Sequence, residues 1–461
     1  MRQEKTRPSI RRLGILIVVC AVIFAMLAAF RAGPAPEVTI EAELPGIGKR
    51  TPIRVVASEP KRGLSDVRVE FVQGERVEQL DARTYKPREP WAFWGDRTVQ
   101  DEFVFEIGSE TIDRLQEGPA TIRVVAKRAT AWLRYPQPAV QELELEVKLR
   151  PPALQVLSSF TYVTQGGCEA VVYTVGESSV RDGVQAGEWW FPGYAFPGGG
   201  ERQRFALFGA PYDLSDPDQI RLVARDDVGN EGRVSFIDQF TRRPPGNDRI
   251  PVSDSFMQKV VPAIMTQTPS VKDHGNLLDN YLEINRVLRA QNNATLTELS
   301  EQSTEAFLWK RRFLQMRNAK VTSDFADRRT YLYNGREVDQ QFHLGFDLAS
   351  TRAAEIQAAN DGVVALARYF GIYGNTVVID HGYGLMSLYG HLSSLAASEG
   401  QRVERGQVIG RSGATGLAGG DHLHFTMMLQ GLPVDPREWW DGHWIHDRLV
   451  LKLGTALPFE E

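Results

Sequence analysis

Residues 419–429 read G-G-D-H-L-H-F-T-M-M-L, and the run from Phe425 to Leu429 suits a strand. Side chains alternate across a strand, so His422 and His424 face the same side. Thr376 to Ile379, before Asp380, reads as a second strand. Upstream lies H-L-G-F-D, in which His343 and Asp347 are four apart and share a face if that segment is extended. A helix would also bring positions four apart together, but Gly345 and the strand-like surroundings favour a sheet. His391 sits between these two blocks in Y-G-H-L. The chain has eight histidines, and seven of them follow residue 342. Histidine is a common zinc ligand and the usual proton shuttle near neutral pH. Three of these groups suffice for a catalytic zinc site with one position open for water, leaving the other two histidines for proton transfer. Any one of them alone would read as an ordinary hydrogen-bonded residue. All of them in glycine-rich strand contexts ask for a chemical explanation.

The blocks extend well beyond the histidines. H-L-G-F-D (343–347), A-A-N-D-G-V-V (358–364), Y-G-N-T-V-V-I-D-H-G-Y-G (373–384) and L-Y-G-H-L (388–392) come first. G-Q-V-I-G-R-S-G-A-T-G (406–416), G-G-D-H-L-H-F (419–425) and V-D-P (434–436) follow in order. Together, residues 319–445 resemble the lysostaphin-type, or LytM-like, zinc endopeptidases of peptidoglycan. That resemblance implies a β-rich peptidase domain holding Zn2+ through His343, Asp347 and His424, with His391 and His422 as the catalytic histidines. An upstream tyrosine assists the oxyanion in some members, and Tyr331 and Tyr333 are the candidates here. The implied activity is hydrolysis of peptidoglycan stems or cross-links. The bond could lie between D-amino acids, at a diaminopimelate cross-link or within a glycine bridge. Relatives that lack metal ligands are thought to bind or activate without cutting; the complete five-residue set disfavours that alternative. A zinc peptidase acting on exported proteins is the third reading. His381, His443 and His446 are expected to be structural or surface residues.

At 461 residues the chain exceeds one compact domain, and 42% hydrophobic with 24% charged residues suits an ordinary globular protein. A net charge of −5 gives no argument for nucleic-acid binding. Residues 13–30 form an apolar run that would span about 27 Å as a helix, close to a bilayer core of ~30 Å. Arg2, Lys5, Arg7, Arg11 and Arg12 precede it, while Glu37, Glu41 and Glu43 follow. Positive-inside bias therefore predicts a cytoplasmic tail (1–12), a single-pass anchor (13–30) in the cytoplasmic membrane, and the rest on the outer side. A cleaved signal peptide is the rival, but Phe30 and Arg31 interrupt a small-x-small site. Cys20 lies in the run, which leaves Cys168 without an exported partner; it is expected to be packed rather than reactive.

The overall expectation is a mainly β, multidomain chain. Short β-type runs (Val38–Ile40, Ile53–Ala57, Val67–Phe71, Phe103–Phe105, Ile122–Ala126, Leu143–Val147) predict an immunoglobulin-like sandwich over 37–150. A second sandwich is expected over 151–242, where Ile220–Arg225 echoes Ile122–Lys127 and Asp226-Asp227-Val228-Gly229-Asn230 supplies hairpin chemistry. The aromatics Trp189, Trp190, Phe191, Tyr194 and Phe196, like Trp91, Phe93 and Trp94, either fill cores or stack on glycan. A helical connector follows over 243–318. Its stripe is Leu277, Leu278, Tyr281, Leu282, Ile284, Val287 and Leu288, with Pro262 breaking or kinking the first helix and Thr295 and Glu298 at capping-box spacing. The peptidase domain (319–445) and a C-terminal tail (446–461) complete the chain.

Overall fold

The computed structural model describes residues 10–31, 34–87, 89, 95–130 and 137–460. Trp91, Phe93 and Trp94 lie outside them, so their part in a glycan reading is not addressed. The chain divides into two compact units: Met1–Pro151 with Asp226–Asn230, and Pro152–Arg225 with Glu231–Glu461.

In the first unit, Ile10–Arg31 is helical, and its described side chains cover 12–27. Among the described residues no helix is long and apolar enough to cross a membrane, so the transmembrane expectation over 13–30 gains no support here. The six β-type runs read from the sequence all fall in strands. One sheet orders Glu37–Ala42, Thr51–Ser58 and Gln100–Ile107. The other orders Gly46–Ile47, Ala139–Val147, Gly118–Arg128, Leu64–Gln73 and Arg76–Thr84. Alternate residues of both sheets (Val55, Val67, Phe71, Phe103, Ile122, Val124) enter one shared core, which makes the pair a sandwich. The five residues 226–230 belong to this unit. Val228 buries its side chain against Gly46 and Gly48, Lys148 pairs with Asp227 at 2.7 Å, and Asn230 donates to the Lys148 carbonyl at 2.8 Å.

The second unit opens with two four-stranded sheets. One orders Tyr194–Ala195, Gln203–Gly209, Cys168–Val175 and Leu154–Val156; the other orders Trp189–Pro192, Ser179–Ala186, Ile220–Asp226 and Glu231–Val234. Phe191 is wholly buried here, and Trp189, Tyr194 and Phe196 pack against the same core, so these aromatics serve packing rather than glycan stacking. Cys168 is buried, and burial pushes its thiol pKa well up.

Helices Asp254–Gln267 and Leu277–Glu283 follow. A π turn, Ile284–Leu288, then leads into helix Arg289–Ser300. Pro262 sits inside the first helix, where the Thr266 hydroxyl donates to its carbonyl at 2.8 Å. Tyr281, Ile284, Leu288 and Leu296 form the buried stripe, but Val287 is exposed on the π turn. Thr295 and Glu298 are not a capping box. The helix runs through them, and Thr295 donates back to Gln291; the cap is Asn276, whose side chain accepts from Asp279 N at 2.9 Å.

The rest of this unit is built on an eight-stranded sheet. Its order is Lys320–Ser323, Phe346–Ala349, Leu423–Leu429, Leu385–Leu392, Asn375–Asp380, Gly362–Tyr369 and Arg402–Val403, with Leu432–Val434 pairing on Leu423–Leu429. A three-stranded sheet of Asn247–Pro251, Asp327–Tyr333 and Arg336–His343 accompanies it. Residues 446–456 are helical rather than a loose tail. Ile445, Leu449, Leu453 and Leu457, four apart, pack into the core.

Candidate metal centre

Strand pairing brings the distant blocks together. Asp347 lies opposite His424 across neighbouring strands, and Gly390 lies opposite His424 on its other side. His343 ends its strand at Leu344-Gly345, where the chain passes from the small sheet to the large one. Gly345 permits that passage: a Cβ there would stand 2.8 Å from His424 Cε1 and 2.7 Å from the Phe425 carbonyl. His422 forms an isolated bridge with Gly413, one position before the strand, and faces the same side as His424.

His391 is aimed by a bulge. Between Asn375↔Leu392 and Val377↔Tyr389 the histidine's strand carries one residue more than its partner, and His391 takes φ +64°. Left-handed backbone at a non-glycine costs about 1–2 kcal/mol, and bulges that re-aim a side chain are common beside active sites.

His343 Nε2 lies 3.0 Å from Asp347 Oδ1 and 3.2 Å from His424 Nδ1, and His424 Nδ1 is 3.0 Å from the same Oδ1. His422 Nε2 stands 3.4 Å from that oxygen. The outer ring nitrogens decide the tautomers. His343 Nδ1 donates to the Asp324 carbonyl at 2.8 Å, since a carbonyl can only accept. The Thr426 hydroxyl donates to the Leu344 carbonyl at 2.8 Å and so must accept from His424 Nε2 at 3.1 Å. Two imidazole lone pairs and one carboxylate oxygen therefore converge on a single point without a proton among them. The same logic holds for the other pair: His391 Nδ1 donates to the Thr415 carbonyl at 2.8 Å and His422 Nδ1 to the Gly420 carbonyl at 2.9 Å. Their Nε2 atoms are left as the acceptors, with ring centroids 4.9 Å apart.

These residues fit a divalent cation. His343, Asp347 and His424 offer ligand atoms all within 4.8 Å of one another. Donors on a tetrahedral zinc with ~2.0–2.1 Å bonds lie about 3.3 Å apart, close to the separations above. Each imidazole carries the outer hydrogen bond that metal-ligating histidines use to fix their tautomer. Arg329 Nη2 donates to Asp347 Oδ2 at 2.8 Å, which leaves Oδ1 to face the histidines.

Electrostatics follow from this packing. Burial alone would raise the Asp347 pKa, but its contacts with His343, His422 and His424 hold it well below the usual carboxylate range. Burial pushes His424 down to about 4 and His391 down to about 3. Burial also opposes the charge of His422, yet Asp347 beside it raises its pKa on balance.

All five side chains expected from the sequence line one cavity of about 360 Å³. Tyr331 lines it too; Tyr333 does not, and donates instead to Asp254 Oδ1 at 2.9 Å. Arg329 went unnoticed in the sequence, although its spacing of two from Tyr331 on a strand was the available signal. The connector contributes Phe256, Tyr281 and Arg289 to the wall. His381 stands apart: wholly buried, it bonds the Asp361 carbonyl and Ser387 Oγ at 2.7 Å each, and burial takes its pKa down to about 4.

Residues 341–436 match Peptidase family M23, the LytM- or lysostaphin-type peptidases, and the C-terminal part of the chain is a domain of that family. Peptidoglycan DD-endopeptidase ShyA of Vibrio cholerae is 39% identical over 116 residues, 25% of this chain and 26% of that protein. The murein hydrolase activator EnvC of Escherichia coli is 39% identical over 95 residues, 21% of this chain and 23% of that one. A crystal structure of a putative peptidase M23 from Pseudomonas aeruginosa is 22% identical, with a TM-score of 0.36, covering 59% of this chain and 93% of that one. The chain thus spans about a quarter of the length of these curated relatives.

Proposed function

We propose that the chain is a zinc metalloendopeptidase that hydrolyses peptide bonds in peptidoglycan stems or cross-links. One observation carries the reading: His343 Nε2, His424 Nδ1 and Asp347 Oδ1 converge as three unprotonated donors within 3.0–3.2 Å of one another. His343, Asp347 and His424 would hold the ion. Zinc bound there would polarise the scissile carbonyl and lower the pKa of a water towards ~7. His391 and His422 present Nε2 acceptors at fixed orientation. One accepts the proton of the attacking water, whose oxygen joins the acyl carbon as the C–N bond breaks. The proton ends on the departing amine. Tyr331, in the cavity wall, is positioned to donate to the oxyanion.

Purified peptidoglycan incubated with the zinc-loaded protein and analysed by mass spectrometry tests this directly. New amine and carboxyl termini are expected. They should disappear in His343→Ala and Asp347→Ala, which also lose the metal. His391→Ala should keep zinc while turnover falls roughly 10²-fold or more. Full activity of Asp347→Ala would sink the ligand assignment. EnvC, named an activator, gives the non-cutting alternative a concrete form. On that alternative the protein yields no new termini itself but stimulates another wall hydrolase. We also place the N-terminal segment as a single-pass anchor in the cytoplasmic membrane, with the catalytic part outside. The basic residues before 13–30 and the acidic ones after support it. A reporter fused after residue 40 that is active in the cytoplasm would overturn that topology.

A further inference from the structure

Apart from the four histidines and the phenols of Tyr281, Tyr331 and Tyr373, the ionisable groups lining the cavity are Asp347, Arg329 and Arg289. Arg329 is committed to Asp347 Oδ2 and to Ser323 Oγ, at 2.8 and 2.7 Å. Arg289 is different. It is half-buried and forms no ion pair among the described residues. Its Nε donates to the Asn285 carbonyl at 3.1 Å and its Nη2 to Asn285 Oδ1 at 2.6 Å.

That hold is itself supported. Asn285 is wholly buried in the π turn and donates through Nδ2 to Asp339 Oδ2 at 2.7 Å, which turns its Oδ1 towards Arg289. Asp339 is the nearest acid in this chain of contacts, and it is answered by Arg286 at 2.8 Å and Gln341 at 3.1 Å. The network therefore orients the Arg289 guanidinium without neutralising it. Its Nη1 has no hydrogen-bond partner among the described residues. The surrounding wall is largely apolar and aromatic, with Phe256, Tyr281, Ile372 and Tyr373. A partly desolvated, unpaired cation is costly unless an anion arrives to meet it. A π turn, uncommon in helices and frequent at functional sites, sets its position.

We infer that Arg289 forms a carboxylate-binding subsite of the cleft, one that takes peptides bearing a free carboxylate close to the scissile bond. The inference rests on the hydrolase reading and narrows its substrate class. A glycine bridge carries no side-chain carboxylate. A diaminopimelate cross-link does, because the carbon bearing the acylated nitrogen also bears a carboxyl group. A planar guanidinium with an open edge suits that anion better than an ammonium would.

The test uses two cross-linked stem peptides that differ only at this carboxyl, one a free acid and one its carboxamide. The wild-type protein should show the lower KM for the free acid. Arg289→Gln should raise KM for the free acid roughly 10- to 100-fold, the scale of one charge-assisted hydrogen bond. It should leave kcat and the carboxamide nearly unchanged. Equal losses on both peptides, or no loss on either, would overturn the subsite. Calorimetric binding of the corresponding uncleaved single stems provides a readout independent of turnover. If the wild type cuts neither dimer, the hydrolase reading fails. An Arg289-dependent preference for the free-acid stem would still uphold the subsite, and equal binding of the two stems would reject it. Should Arg289→Gln not fold, Arg289→Lys is the second variant. It keeps the charge and loses the Asn285 fork, so a weaker but surviving preference for the free acid is expected; an undiminished preference or none would count against the proposal.

Discussion

His391 holds a backbone conformation that its residue type disfavours, and it does so beside the proposed reacting bond. The φ of +64° accompanies the extra residue in its strand. Asparagine tolerates this region and valine does not. His391→Asn and His391→Val should therefore lose turnover alike but differ in stability by about 1–2 kcal/mol, with Asn the more stable in urea unfolding. Gly345 illustrates the converse constraint. In Gly345→Ala the new methyl meets His424 Cε1, the Phe425 carbonyl and Thr426 Oγ1 at 2.8, 2.7 and 2.5 Å. Overpacking of this kind costs about 1–3 kcal/mol. Because the clash falls on a proposed ligand, zinc affinity should fall along with the melting temperature, which metal titration would read. His343 with Asp347, and His422 with His424, stood out in the sequence through even spacings, whereas His391 and the roles of all five came from the family resemblance. Val287 misled because a π turn shifts the phase of the helical pattern without leaving a clear mark in composition. Arg289 reaches the cavity from the helical connector, which no local window around the histidines reveals.

Among the elements, the short helix Pro436–Trp440 sets the clearest pH expectation. Glu438 on it is half-buried, with its carboxyl enclosed and accepting from Cys168 N at 2.6 Å. Burial raises the Glu438 pKa well above the usual value, with the nearby Asp435 and Glu169 adding to it and Arg448 opposing. Burial also lifts Asp435 to about 6, although Arg243 pulls it back. In the unfolded chain such carboxyls titrate near 4. As pH rises above about 4 the unfolded state loses its protons first, the native state binds more, and stability falls with pH. For Asp435 that loss runs to about pH 6; for Glu438 it extends upward from the ordinary carboxylate range. Glu438→Gln stays neutral throughout, so its melting temperature should gain on the wild type between pH 5 and pH 8. A gap that stays constant across that range would refute the assignment. The helical segment after it was missed in the sequence, since Leu449, Leu453 and Leu457 fell in the stretch read as a tail, and their stripe with Ile445 was not seen.

Over the whole molecule, two separate cores divide the labour. The first unit closes around Val55, Phe71, Phe103 and Ile122, while every residue lining the catalytic cavity belongs to the second. Residues 152–461 should therefore retain turnover on a soluble peptide substrate with the first unit removed. The fragment would also expose Val228, which the intact chain keeps 2% accessible. Self-association of the fragment, relieved by Val228→Ser and followed by light scattering, is the expected accompaniment. The strands of the first sandwich were legible as short β-type runs, whereas the assignment of 226–230 to the first unit was not, because it depends on partners some 80 to 180 positions away.

That five-residue loan has a consequence for cutting and splicing. The polypeptide crosses from one unit to the other at 151/152, 225/226 and 230/231. A protease that nicks only the first crossing leaves the severed piece gripping Asp227, Val228 and Asn230, so the two fragments should travel together until a denaturant parts them. Nor is the leading module a cassette: grafting another in its place means rewriting a hairpin tip in the middle of the gene.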